Sequence, residues 1–195
     1  MNFIAERLWF DKRIDHGIFT APPVNPVTIS IHSIQPVLYS ADAISILKKS
    51  HGSSWTGDGS LLLAKAIQGL LPGSTLYAIA GKRKPTHPRK SCLKTCAAVT
   101  MQDHEVIDRT VHVCVQYLQG KNRLYIDACG SMTAERILDI WRYDERVEDA
   151  VLVSLHGREY IIQELQAHFS RAQQDDVTSL RGLLRDLFPQ GDPTT

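Results

Sequence analysis

Three side chains in this sequence have the types and the order that nucleophilic acyl chemistry needs. Ser60 follows the Gly-rich turn Trp55-Thr56-Gly57-Asp58-Gly59 and opens the apolar run Leu61-Leu62-Leu63-Ala64-Lys65-Ala66-Ile67. His112 lies in Val111-His112-Val113-Cys114-Val115, and Asp127 in Leu124-Tyr125-Ile126-Asp127-Ala128-Cys129-Gly130. A helix start offers free N–H groups and the positive end of the helix dipole, which favour a thiolate or the oxyanion of a tetrahedral intermediate. Glycines let a substrate backbone come close. An imidazole is the general base, and a carboxylate on its second nitrogen fixes the tautomer. Each part also has a plainer reading: Ser60 or Asp58 as a helix N-cap, and His112 with Asp127 as a satisfied pair nearly opposite each other in a hairpin.

The elements that must position these groups are readable from periodicity and turn chemistry. Residues 27–34 alternate Val/Ile with Thr, Ser and His, a strand pattern. Ser40 N-caps a helix over 41–49, ended by His51-Gly52, and a buried helix over 60–71 stops at Pro72-Gly73. A strand follows over 75–80, then a basic loop over 81–90 and a strand over 93–101. Residues 110–117 and 123–128 form a hairpin around Gln119-Gly120-Lys121-Asn122. Ser131 or Thr133 caps a helix reaching about Tyr143, and 151–155 is one more strand. Residues 159–173 form an amphipathic helix with Tyr160, Ile161, Leu165 and Phe169 on one side. Asp176 caps a last helix with Val177, Leu180, Leu183, Leu184 and Leu187 on its apolar face. Helix first, then antiparallel strands, then helices is an α+β order. Residues 1–35, with Pro22, Pro23 and Pro26, read as an N-terminal arm, 36–190 as the domain and 191–195 as a disordered tail.

This succession (a helix opened by the nucleophile position, then His-x-Val on a strand, then Tyr-x-Asp-Ala-x-Gly on the next) resembles the papain-like cysteine hydrolase superfamily. The likeness covers roughly residues 50–130 and is nearest to its compact bacterial branches, related to cell-wall amidopeptidases and transglutaminase-like proteins. It implies a papain-like fold, a nucleophile helix packed on an antiparallel sheet, and hydrolysis or acyl transfer at an amide, thioester or isopeptide bond of a peptide or protein. By position it makes Ser60 the nucleophile, His112 the base and Asp127 the orienting residue. Trp55, Ser54 and Gly59 fall beside the oxyanion and substrate. The departure is Ser60, where the family carries cysteine. A hydroxyl does not ionise beside an imidazole as a thiol does. Three readings stand: an inactivating Cys-to-Ser replacement, a catalytically dead fold serving as an interaction module, or a genuine serine enzyme. The first two rank above the third.

Other groups have the types of metal ligands, nucleophiles or bases. His87, Cys92 and Cys96 lie close in the basic loop, with His104 or Cys129 as possible completing ligands, but three local ligands with Cys-x-x-x-Cys spacing do not make a zinc set. Cys114 and Cys129 flank the His and Asp and are alternative nucleophiles, and His51, His104 and His156 are spare bases. No metal and no cofactor is expected. A net charge of +1 points away from a nucleic-acid binder. No apolar run spans a bilayer and no secretory leader is evident, so a cytoplasmic protein, or one exported without a cleaved signal, is expected. A protein partner would use the C-terminal helices or the N-terminal arm.

Overall fold

Serine hydroxyls start the first two helices of the structure, a computed structural model that describes residues 30–83, 101–169 and 173–188. Ser30 accepts the Ser33 N–H at 3.2 Å and begins α1 (Ile31–Leu38); Ser40 accepts the Ala43 N–H at 3.3 Å and begins α2 (Ala41–Lys49). The first of these corrects the strand expected over 27–34, and it brings the last part of the presumed arm into the domain. The short alternation loses to the cap and to Ile34 and Leu38, four residues apart, which are both fully buried. The expectations for residues 1–29, 84–100 and 191–195, including the 93–100 part of a strand, lie outside the described residues.

The nucleophile-position helix, α3 (Ser60–Gln68), is apolar nearly all round and packs on the sheet and on the helix Gln174–Leu184. The remaining elements are β1 (Thr75–Arg83), α4 (Asp103–Arg109), β2 (Thr110–Gln119), β3 (Asn122–Asp127), β4 (Gly130–Met132), α5 (Ala134–Asp139), β5 (Val147–Ser154), α6 (Glu159–His168) and α7 (Gln174–Leu184). The hairpin closes in two residues, with Gln119 paired to Asn122 and Gly120 at φ +61°. Thr133 caps α5 through the Arg136 N–H, and Ile140–Asp144 continues it as a π-helical turn in which the Glu145 N–H reaches the Ile140 carbonyl. The short helix α4 has no counterpart among the expected elements, being mostly polar with Val106 alone buried.

The five strands form one antiparallel sheet in the order β4-β3-β2-β1-β5, so the α+β class holds. Alternation along β2 divides its side chains between two apolar layers. Val113, Val115 and Tyr117 join the larger core with α1, α2, α3 and α7, whereas Cys114 joins Ile79, Tyr125, Ile137, Leu138 and Trp141 beneath α5. Two expectations for the C-terminal helices are corrected. Tyr160 is exposed rather than on the apolar side of α6. Asp176 does not cap α7, whose N-cap is Gln173; its buried carboxylate accepts from Lys49 Nζ at 2.8 Å and Ser50 Oγ at 3.1 Å, tying α7 to α2. No described helix is long and apolar enough to cross a membrane.

Candidate functional site

His112 is fully buried, and both of its ring nitrogens have partners. Nε2 lies 3.1 Å from Asp127 Oδ2, and Nδ1 lies 3.0 Å from the Thr56 carbonyl oxygen. A carbonyl and a carboxylate both accept, so the arrangement is satisfied when both ring nitrogens carry hydrogens. The other Asp127 oxygen accepts the Cys129 N–H at 2.7 Å. Trp141, on the π-helical turn, covers the imidazole with ring centroids 4.7 Å apart.

Strand register explains how the pair meets. Val115 faces Ile126, so continuing the ladder puts Cys114, not His112, across from Asp127. The expectation that His112 and Asp127 fall nearly opposite is thus corrected to a diagonal pair on the same face, which a carboxylate and an imidazole can bridge. Cys114 lies within that pair's field: burial raises its thiol well above the ordinary value, and the Asp127 charge adds to the shift. Burial also pushes Cys129 up, to about 11. Neither thiol is primed as a nucleophile at neutral pH.

Ser60 sits at the first position of α3, buried, and its Oγ accepts the Val113 N–H at 3.2 Å. That amide belongs to a part of β2 where β3 has already ended, so the hydroxyl satisfies an N–H that the sheet leaves open. Among the described residues no hydrogen bond joins Ser60 Oγ to the imidazole. The plainer cap reading also fails: Gly59 occupies the N-cap with no side-chain cap bond. Asp58 instead holds the preceding turn, accepting from the Ser53 and Ser54 N–H groups at 2.7 and 3.0 Å and from Ser53 Oγ at 2.9 Å. Burial works to raise the Asp58 pKa, but these donors and the Gly59 amide outweigh it and hold it below the ordinary value.

The structure brings Ser60, His112 and Asp127 to one buried locus without a hydrogen-bonded line through all three. No protein-family model, curated protein or solved structure matches this chain. The presumed oxyanion donors have other partners. The Ser60 N–H reaches the Gly57 carbonyl at 3.1 Å, and the Gly59 N–H the Ser54 carbonyl at 2.8 Å. Ser54 Oγ accepts from the Gly57 N–H at 2.9 Å, and the buried Trp55 donates its indole N–H to the Leu38 carbonyl at 2.8 Å. His51, His104 and His156 are exposed, Cys129 is half-buried, and the described residues hold no cluster of metal-binding side chains. His87, Cys92 and Cys96 lie outside the described residues. Sequence reasoning missed the Thr56 carbonyl, the Val113 amide and Trp141. The first two are backbone groups that every residue type carries, and Trp141 had only its helix to announce it.

Proposed function

We propose that this domain is an acyl-transfer module of the cysteine-hydrolase type, directed at an amide, thioester or isopeptide bond of a peptide or protein, and shut while Ser60 holds the nucleophile position. One observation supports the reading. A fully buried imidazole is held at Nε2 by a carboxylate and presents Nδ1 to the turn that opens the Ser60 helix. Burying such a pair gains a fold little over apolar packing, so its presence beside a helix start favours a chemical use. With a thiol at position 60, the Thr56 carbonyl displaced and the hydrogen on Nδ1 given up to solvent, the thiol proton would pass to the freed Nδ1 of His112, whose Nε2–H stays on Asp127. The sulfur would then attack the carbonyl carbon, and the α3 start would stabilise the oxyanion. The protonated imidazole would return its proton to the leaving group, and water would release the acyl chain.

A second reading, a catalytically silent fold that binds a protein partner, is favoured by a different observation: Ser60 Oγ bonds the Val113 amide and not the imidazole. One experiment separates the two. Ser60→Cys, exposed to iodoacetamide at neutral pH and mapped by peptide mass, is expected to label at position 60 at least about tenfold faster than Cys114 and Cys129, whose thiols burial suppresses. The added substitution His112→Ala should abolish the excess. Labelling at position 60 no faster than at the other thiols would leave the silent reading standing. Labelling indifferent to His112 would remove it as the base.

A further inference from the structure

We infer that α1 controls access to the His112 imidazole through two consecutive residues, Trp55 and Thr56. The turn carrying them is knotted on itself by the Asp58 carboxylate, the Ser54 hydroxyl and the Gly59-to-Ser54 backbone bond. A segment so tied moves as one piece. Besides its bonds to the start of α3, the turn has hydrogen bonds to α1 and to β2 among the described residues. Trp55 reaches the carbonyl of Leu38, the last residue of α1, and the very next residue places its own carbonyl on His112 Nδ1. Nδ1 is thereby occupied by backbone rather than by a group that could exchange a proton with a ligand. Thr56 is exposed, whereas the ring that its carbonyl meets is fully buried. At the turn's entry His51 takes a left-handed conformation at φ +60°, and the N–H groups of His51 and Gly52 are bonded back to the Lys48 and Leu47 carbonyls of α2. Displacement of α1 would draw Trp55, carry Thr56 with it and uncover Nδ1. The Asp127 contact on Nε2, held from β3, would stay. This coupling holds whether or not the site turns over a substrate.

The test reads the two imidazole protons separately. In nitrogen-labelled protein, the ring N–H signals of His112, assigned by their loss in His112→Gln, should both be slow to exchange. Trp55→Phe removes the indole donor and keeps an aromatic ring; it should speed Nδ1–H exchange about tenfold, the loss of one hydrogen bond's restraint, and leave Nε2–H unchanged. Ile34→Val, which loosens α1 without touching the turn, should act in the same direction. Leu165→Val on α6 serves as a loosening control far along the chain and should leave both signals as they were. Absence of a protected Nδ1–H in the unmodified protein overturns the inference. So does unchanged Nδ1–H exchange in Trp55→Phe, equal acceleration of both ring protons, or an equal effect of Leu165→Val. None of these outcomes depends on the alkylation result at position 60, so the two proposals fail separately.

Discussion

Replacing Asp127 by alanine and by asparagine should give sharply different proteins, although both remove the charge. Asp127 is buried and supplies two acceptors, one to His112 Nε2 at 3.1 Å and one to the Cys129 N–H at 2.7 Å. Alanine deletes both. It leaves the imidazole, still fixed at Nδ1 by Thr56, facing an empty space in a buried site. Breaking a buried pair in this way costs about 3–5 kcal/mol. That is a large part of a domain's total, about 5–15 kcal/mol. For a chain of this size it corresponds to a fall in Tm of roughly 6–20 °C. Asparagine can satisfy every group again. Its carbonyl oxygen accepts the Cys129 N–H, its amide donates to a neutral Nε2, and Nδ1–H still donates to Thr56. Asp127→Asn should therefore lie within about 1 kcal/mol of the unmodified protein, the net worth of one hydrogen bond. Urea unfolding of the three proteins, followed by fluorescence and far-ultraviolet dichroism together, measures both differences. If alanine costs less than about 1 kcal/mol, or if asparagine is as damaging as alanine, the buried-pair account of this site is refuted.

Two further outcomes follow from the turn. Because folding lowers the Asp58 pKa, the stabilisation this carboxylate gives is complete above the ordinary value of 3.8 and fades as pH falls below it through the lower folded value. Amide exchange at Ser53 and Ser54 should accelerate in that acid window, and Asp58→Asn should flatten the dependence. Gly59 has its own constraint, since a Cβ there would come within 2.7 Å of the Ser54 carbonyl oxygen and 2.5 Å of Leu47 Cδ1. Leu47 can shift, but the carbonyl is already fixed by the Gly59 N–H, so Gly59→Ala should cost about 1–3 kcal/mol in chemical denaturation.

What the sequence disclosed and what it concealed divide along a physical line. The helix over 41–49, the hairpin around Gly120 and the Thr133 cap depend on neighbours a few residues away, and local chemistry announces them. The helix at Ile31–Leu38 reads as a strand in the sequence because a stretch of eight residues carries too little periodicity to separate two from 3.6. At the site, the residue types and their order were legible: Ser60, His112 and Asp127 do converge. The connections were not. Whether Ser60 Oγ turns to an imidazole or to the Val113 amide depends on where β3 stops, which is set by the turn at Asp127 and Gly130 rather than by anything near Ser60. Asp58 and Asp176 are both placed like caps, but Asp58 bonds back to Ser53 and Ser54 in its own turn and Asp176 reaches across the chain to Lys49 and Ser50.

The early end of β3 has a consequence for the molecule as a whole. Over His112–Cys114, β2 is laddered to β1 on one side alone, which gives an interior strand a short stretch of open edge. Open edges are where a second chain can add itself as a strand. Here the tip of a helix and the turn before it close the gap, with the Ser60 hydroxyl on the Val113 amide and the Thr56 carbonyl on the adjacent ring. The Ser60 hydroxyl thus occupies, on the Val113 amide, the place that a neighbouring strand would take. Removing that hydroxyl would leave the Val113 N–H of this edge without its acceptor.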